Sequence, residues 1–183
     1  WQILAKQMGL QLNFLEPDEN CEISLEKLQD AICDRTKLIS ITHISNSTGT
    51  INPVAEIVKI AKSKGLLVLV DGAQSIGHLP IDVQKLQCDF FVFSGHKLYG
   101  PTGTGVLYAK EEHLKNLAPY QTGGNQIKSV SIHQTEFAEL PYKFEPGTPN
   151  ISGLLGLSKA IDYINHIGFE AIQAHENALT KLF

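Results

Sequence analysis

Five residues in two short clusters hold most of the reactive functionality of this sequence. Asp71 and Gln74 lie in Val-Asp-Gly-Ala-Gln (70–74), and Ser94, His96 and Lys97 lie in Ser-Gly-His-Lys (94–97). One cluster offers an acid and an amide, the other a hydroxyl, an imidazole and an amine. A lysine amine forms a Schiff base with an aldehyde, and a carboxylate can hold a pyridinium nitrogen in its protonated, electron-accepting form; together they suggest an imine-forming cofactor. Each residue also has a plainer reading. A lysine between a strand end and a glycine loop is most often a solvated charge, Asp71 could cap a helix or bond at a sheet end, and Gln74 could be an ordinary loop amide. The neighbours favour chemistry: Asp71 ends an apolar run, where a carboxylate is costly without a cationic partner. Burial at the Lys97 turn would lower the amine's pKa and fix its approach.

Other chemistries fit less well. Gly100-Pro-Thr-Gly-Thr-Gly105 lacks the Gly-Lys-Ser/Thr of a phosphate loop, and a third glycine is missing for a dinucleotide fingerprint. Its glycines are expected to let the backbone turn tightly beside the lysine. His43, Asp71, His78, Asp89, His96 and His113 are scattered without metal-ligand spacing, and His78 and His113 read more simply as surface histidines. Ser94 lacks a nucleophile elbow, and Cys88, just before an apolar strand, reads as a buried inert thiol.

The elements that must position these clusters alternate between strands and helices. Strands are expected at Gln11–Leu15, Lys37–Thr42, Leu66–Val70, Phe90–Phe93 and Val106–Ala109. Helices are expected from Ser24 as N-cap through Ile32, from Pro53 to Gly65, at Asp82–Leu86 and Glu111–Leu117, and at Leu154–Ile167 and Phe169–Phe183, broken at Gly168. Residues 1–9 read as the end of a helix stopped by Gly9. Leu66–Val70 is apolar without alternation, as a strand covered on both faces should be. Residues 118–150 read as irregular, a length that usually carries function or lies on a partner subunit. The fold class is therefore α/β, a mostly parallel sheet flanked by helices. Both clusters fall at strand carboxyl ends, where open α/β sheets gather ligands.

The 183 residues are 43% hydrophobic, enough for a sizeable core, and the formal net charge of −4 argues against nucleic-acid or anionic-membrane partners. No apolar run approaches the roughly 20 residues of a membrane span. Three widely spaced cysteines, Cys21, Cys33 and Cys88, fit a reduced, cytoplasmic setting better than a disulfide scaffold.

VDGAQS and SGHKLYGPTGTGVLY, with THISNSTGTINPVAEI, DVQKLQCDFFVFSGHK and FEPGTPN in the same order, closely resemble the class V, pyridoxal-phosphate-dependent aminotransferase fold. Within it they are most similar to the SufS/CsdA-type (group II) cysteine desulfurases, along essentially the whole chain. The resemblance implies fold type I and pyridoxal 5′-phosphate. Lys97 would carry the cofactor and shuttle the proton at the substrate Cα, Asp71 would pair with the pyridine nitrogen, and Gln74 would bond the ring oxygen. Ser94 and His96 would hold the phosphate, Asn46 would lie beside the ring oxygen and the substrate, and Thr148 would reach the phosphate of the other subunit of a homodimer. The implied activity converts L-cysteine to L-alanine, with the sulfur passed as an enzyme persulfide to an acceptor protein for iron–sulfur clusters or another sulfur-donor pathway. L-Selenocysteine is the alternative substrate. A selenocysteine lyase, another class V lyase or epimerase, and a non-catalytic member using the fold as a scaffold are the alternative readings.

The sequence also departs from that pattern. Cys21, Cys33 and Cys88 do not match the sulfur-accepting position, and the single arginine, Arg35, does not match the residue that grips the substrate carboxylate. The chain is accordingly expected to be an internal piece of a longer enzyme and inactive alone. Residues 1–167 would form the second half of the large cofactor-binding domain, and 168–183 the start of the helix toward the small one.

Overall fold

The computed structural model describes residues 1–182. Its centre is a four-stranded sheet in the order β1 (Leu38–Thr42), β2 (Leu67–Asp71), β3 (Phe90–Ser94), β4 (Gly105–Ala109). The first three strands are parallel and β4 returns antiparallel to β3. Helix α3 (Val54–Ser63) joins β1 to β2, and α4 (Val83–Leu86) lies between β2 and β3.

Register and side-chain alternation divide the sheet into two unlike faces. Ile39 pairs with Val68, Ile41 with Val70, Val70 with Phe91 and Phe91 with Tyr108, so all of these point to one side. Val54, Val58 and Ala61 of α3 pack on that side, closing a core in which Val68, Val70 and Cys88 have no exposure. Their spacing of three and four residues is the apolar stripe that makes α3 a helix. The opposite face holds Ser40, Thr42, Leu69, Asp71, Val92, Ser94 and Leu107. Within this chain it is only half-covered, and Leu107 is 53% exposed. The expectation that β2 is buried on both faces is thus corrected: its residues alternate between half-buried and buried.

Helices α6 (Ile151–Ile167) and α7 (Phe169–Thr180) build a second cluster, in which Leu157 and Ile164 pack with Leu98, flanked by Phe169 and Ile172. Three expectations need correction. Gln11–Leu15 forms no strand, because its backbone finds no ladder partner among the described residues. Residues 118–150 are not without structure. They contain the antiparallel hairpin β5 (Ile127–Val130) and β6 (Thr135–Phe137), beside a fully buried Gln126. The Gln126 amide accepts from Gly123 N–H (2.8 Å) and donates to the carbonyls of Gln121 (3.2 Å) and Lys143 (2.8 Å). The last helix, expected to reach Phe183, ends at Thr180, and Phe183 lies outside the described residues. The remaining helices, α1 (Gln2–Met8), α2 (Leu25–Ala31) and α5 (Glu111–Asn116), fall close to expectation, with Ser24 Oγ accepting from Lys27 N–H at 3.2 Å as the α2 cap.

Candidate functional site

Asp71 is the last residue of β2 and Ser94 the last of β3, and both lie on the half-covered face. Asp71 pairs with Val92, two residues before Ser94, so neighbouring strands deliver the acid and the hydroxyl to the same side at the same end. The Asp71 Oδ1 accepts from Ala73 N–H at 2.9 Å. Its other oxygen has no hydrogen-bond partner among the described residues. The plain reading of this acid is therefore realised, since one of its oxygens shapes the turn.

The turn that follows is tightly fitted. Gly72 is buried, its N–H donates to Val92 O (2.8 Å), and a Cβ there would overlap the ring of buried Phe91. Ser75 and Ile76 donate back to Gly72 O, and His78 and Leu79 to Ser75 O. Gln74 sits half-buried on this compact loop, three residues from Asp71.

Past Ser94 the chain makes a single 3-10 turn, Gly95–Leu98, that presents His96 and Lys97. Ser94 precedes the turn without spending its side chain on a cap bond. Gly95 is required by packing, since a Cβ there would strike Thr104 and approach Leu157. Tyr99 ends the turn with φ 58°, in the left-handed region. Gly100 lies against α6: its Cβ would fall 2.8 Å from Leu157 Cδ1 and 2.9 Å from Gly95 O. The glycines therefore serve close helix packing as much as the tight turn. His96 and Lys97 are exposed, so the turn does not bury the amine as expected. The backbone is what is fixed: Leu98 is buried below it, and a Cβ on Gly77 would come within 2.7 Å of Lys97 O.

Asn46 lies exposed in the loop after β1, and Thr148 lies exposed in the segment before Asn150, the N-cap of α6. Strand order brings Asp71, Gln74, Ser94, His96 and Lys97 to one end of the sheet. Asn46 follows β1 at that same end, and Thr148 belongs to a separate segment.

Three features escaped the sequence reading. His43, next after β1, donates its N–H to Asp71 O (2.8 Å), and its Nδ1 is buried without a partner among the described residues. Burial lowers its pKa, keeping the ring neutral. His78 is not a free surface histidine but contacts Glu176 of α7 at 2.6 Å. His113 likewise joins Lys110 on buried Asp89 at the other end of β3. None of these pairs has a local sequence signal, because each partner is distant in sequence or reaches its position through the fold. Cys88 behaves as read: it is fully buried, and burial pushes its thiol up.

Comparison with known proteins places this geometry in a family. The class-V aminotransferase family matches residues 1–183. A probable cysteine desulfurase of Halalkalibacterium halodurans is 48% identical over 181 residues, covering 99% of this chain and 45% of that protein. A cysteine desulfurase of an Enterobacter species is 50% identical over 182 residues, with 99% and 45% covered. The structure of the Escherichia coli cysteine desulfurase CsdA, in an S-sulfonic acid form, superposes with a TM-score of 0.95 at 37% identity, covering all of this chain and 46% of that one. An apo cysteine desulfurase from Thermococcus onnurineus gives 0.93 at 43% identity, with 99% and 45% covered. The chain thus spans a little under half the length of these relatives. With its sheet order, its Asp71 and Lys97 turns and a match from the first residue to the last, the chain belongs to the class-V aminotransferase family.

Proposed function

We propose that the full-length protein is a pyridoxal-phosphate-dependent cysteine desulfurase that converts L-cysteine to L-alanine and passes the sulfur on as a protein persulfide. The observation that carries this is that an acid and a hydroxyl with no cap bond share one end of one sheet face, with the turn that carries Lys97 directly after the hydroxyl. Similarity to cysteine desulfurases of several organisms supports the choice of substrate.

The donor set fits the cofactor: a carboxylate for the pyridinium nitrogen, an amide for the ring oxygen, a hydroxyl and an imidazole for the phosphate, and an amine for the aldehyde. Bound there, pyridoxal phosphate supplies a sink for the electrons left at the substrate Cα. The unpartnered Asp71 oxygen would hold the ring nitrogen protonated, and the Gln74 amide would donate to the ring oxygen. Ser94 Oγ and His96 would orient the phosphate, with Thr148 contributing from the second subunit of a homodimer. Asn46 would lie beside the ring oxygen and the substrate. The Lys97 amine would hold the cofactor's aldehyde and would be the group placed to move a proton at the substrate Cα. Sulfur transfer breaks the substrate C–S bond and forms an S–S bond to a thiolate of the enzyme, while a proton enters at Cβ. An acceptor protein, for iron–sulfur cluster assembly or another sulfur-donor pathway, then takes the sulfur. In this reading residues 1–167 belong to the large cofactor-binding domain, and α7 leads toward the smaller one.

The test is release of alanine and sulfide from L-cysteine by the full-length protein. Lys97→Ala is expected to lower the rate by about 10²–10⁴-fold, the range of a positioned proton-transfer group. An unchanged rate in that variant removes Lys97 from the mechanism.

A further inference from the structure

The Lys97 turn packs against helices α6 and α7 and against the 72–79 loop. On the apolar side, Leu98 is 6% exposed and packs with Leu157 and Ile164, with Phe169 and Ile172 of α7 against them. Beside it stands the 72–79 loop, which carries Gln74, follows Asp71 and sends Ile76 into the same cluster. Gly77 of that loop leaves no space for a side chain, because a Cβ would sit 2.7 Å from the carbonyl oxygen of Lys97. The residue after it is gripped twice by α7: His78 Nδ1 meets Glu176 Oε1 at 2.6 Å, and His78 O accepts from Gln173 Nε2 at 3.0 Å. Residues 173 and 176 stand one helical turn apart, so one face of α7 clasps both the ring and the backbone of His78. Each of these contacts spans about a hundred positions of sequence, 95 to Gln173 and 98 to Glu176.

We propose that His78 and Glu176 form a clamp that positions Lys97, with α7 pressing the 72–79 loop against the carbonyl of the reactive lysine. The clamp rests on the reading of Lys97 as the cofactor-bearing amine. Neither residue touches the reacting atoms; they are positioning residues acting through Gly77. An exposed lysine side chain on a fixed backbone is aimed by that backbone, and displacements of about 1 Å from remote changes cost up to about a hundredfold in rate. The clamp also ties α7 to the loop that carries Gln74, so one contact orders both clusters.

The test uses full-length protein loaded with pyridoxal 5′-phosphate. Its readouts are kcat and KM for L-cysteine, and the pH midpoint of the visible absorbance band of the lysine-bound cofactor. Glu176→Ala and His78→Ala are each expected to lower kcat by about ten- to a hundredfold with KM little changed, and to shift the band's midpoint by about half a pH unit or more. Glu176→Gln, which keeps an oxygen acceptor for the His78 ring, is expected to restore most of both. The double alanine variant should lose no more than either single one, since the two residues act as one contact. A parental midpoint and kcat in Glu176→Ala, in a preparation whose parent shows the band, would overturn the clamp while leaving the cofactor reading intact. A parent without the band, or a Lys97→Ala variant that keeps it, would overturn the cofactor reading and the clamp with it.

Discussion

Removing the Asp89 carboxylate tests how the sheet is held at the end away from Lys97. Asp89 is 5% exposed, one residue before β3. Its Oδ2 accepts from Val68 N–H at 2.8 Å, and its Oδ1 meets Lys110 Nζ at 2.5 Å and His113 Nε2 at 3.2 Å. One carboxylate therefore joins β2, β3 and the start of α5. Burial alone would push its pKa up, but hydrogen bonds from Lys110, the Val68 N–H and His113 outweigh it and hold the carboxyl below its ordinary value. Asp89→Ala leaves the Val68 N–H and the Lys110 ammonium, 23% exposed, without their acceptor. Breaking a buried pair by deleting one partner costs about 3–5 kcal/mol. At about 2–4 °C per kcal/mol for a domain of this size, the melting temperature should fall by roughly 6–20 °C. Asp89→Asn, keeping one acceptor for Val68 but no charge for Lys110, should fall between Ala and the parent. The sign with pH follows from the depressed native pKa. The contribution is complete above the ordinary aspartate value of about 4 and is lost as pH falls through the lower native value. The assay is scanning calorimetry of full-length parent and variants from neutral to acid pH. The gap between parent and Asp89→Ala should be widest near neutrality and close in acid. A variant melting within about 1 °C of the parent at neutral pH, or a gap that widens in acid, would refute the reasoning.

Two further outcomes follow from packing and burial. Gly72→Ala places a methyl against the Phe91 ring, 2% exposed in the core, and should cost about 1–3 kcal/mol by overpacking, read as a lowered urea midpoint with unchanged slope. Cys33 is exposed, and a backbone hydrogen bond from Arg35 with the Thr36 hydroxyl holds its thiol below the ordinary value, whereas burial raises that of Cys88. Iodoacetamide followed by peptide mass mapping should therefore label Cys33 in the native protein and Cys88 only after unfolding; equal labelling of the two would contradict the assigned burial.

The strands that position the clusters were legible because their signals are local. Val68 and Val70 sit in a short apolar run, and the α3 stripe Val54, Val58, Ala61 repeats at helical spacing. Gln11–Leu15 misled because an apolar, polar alternation is only a strand if another backbone completes its ladder. The two faces of the sheet escaped for a related reason. LLVLV reads the same whether one side or both are covered, and register alone separated Val68 and Val70 from Leu69 and Asp71. In residues 118–150, polar composition hid a hairpin and the fully buried amide of Gln126, whose partners lie up to 17 positions away.

By itself, the sequence determined the α/β class, the two clusters at strand ends and the family pattern, because propensity, periodicity and the order of glycine, acid and lysine are properties of neighbouring residues. Only the tertiary structure decided that Asp71 and Ser94 share one face, that Lys97 is exposed on a backbone locked from below, and that His78 answers to Glu176. Those depend on strand register and helix docking, where the partners are distant in sequence and the energy is that of contacts no local pattern encodes.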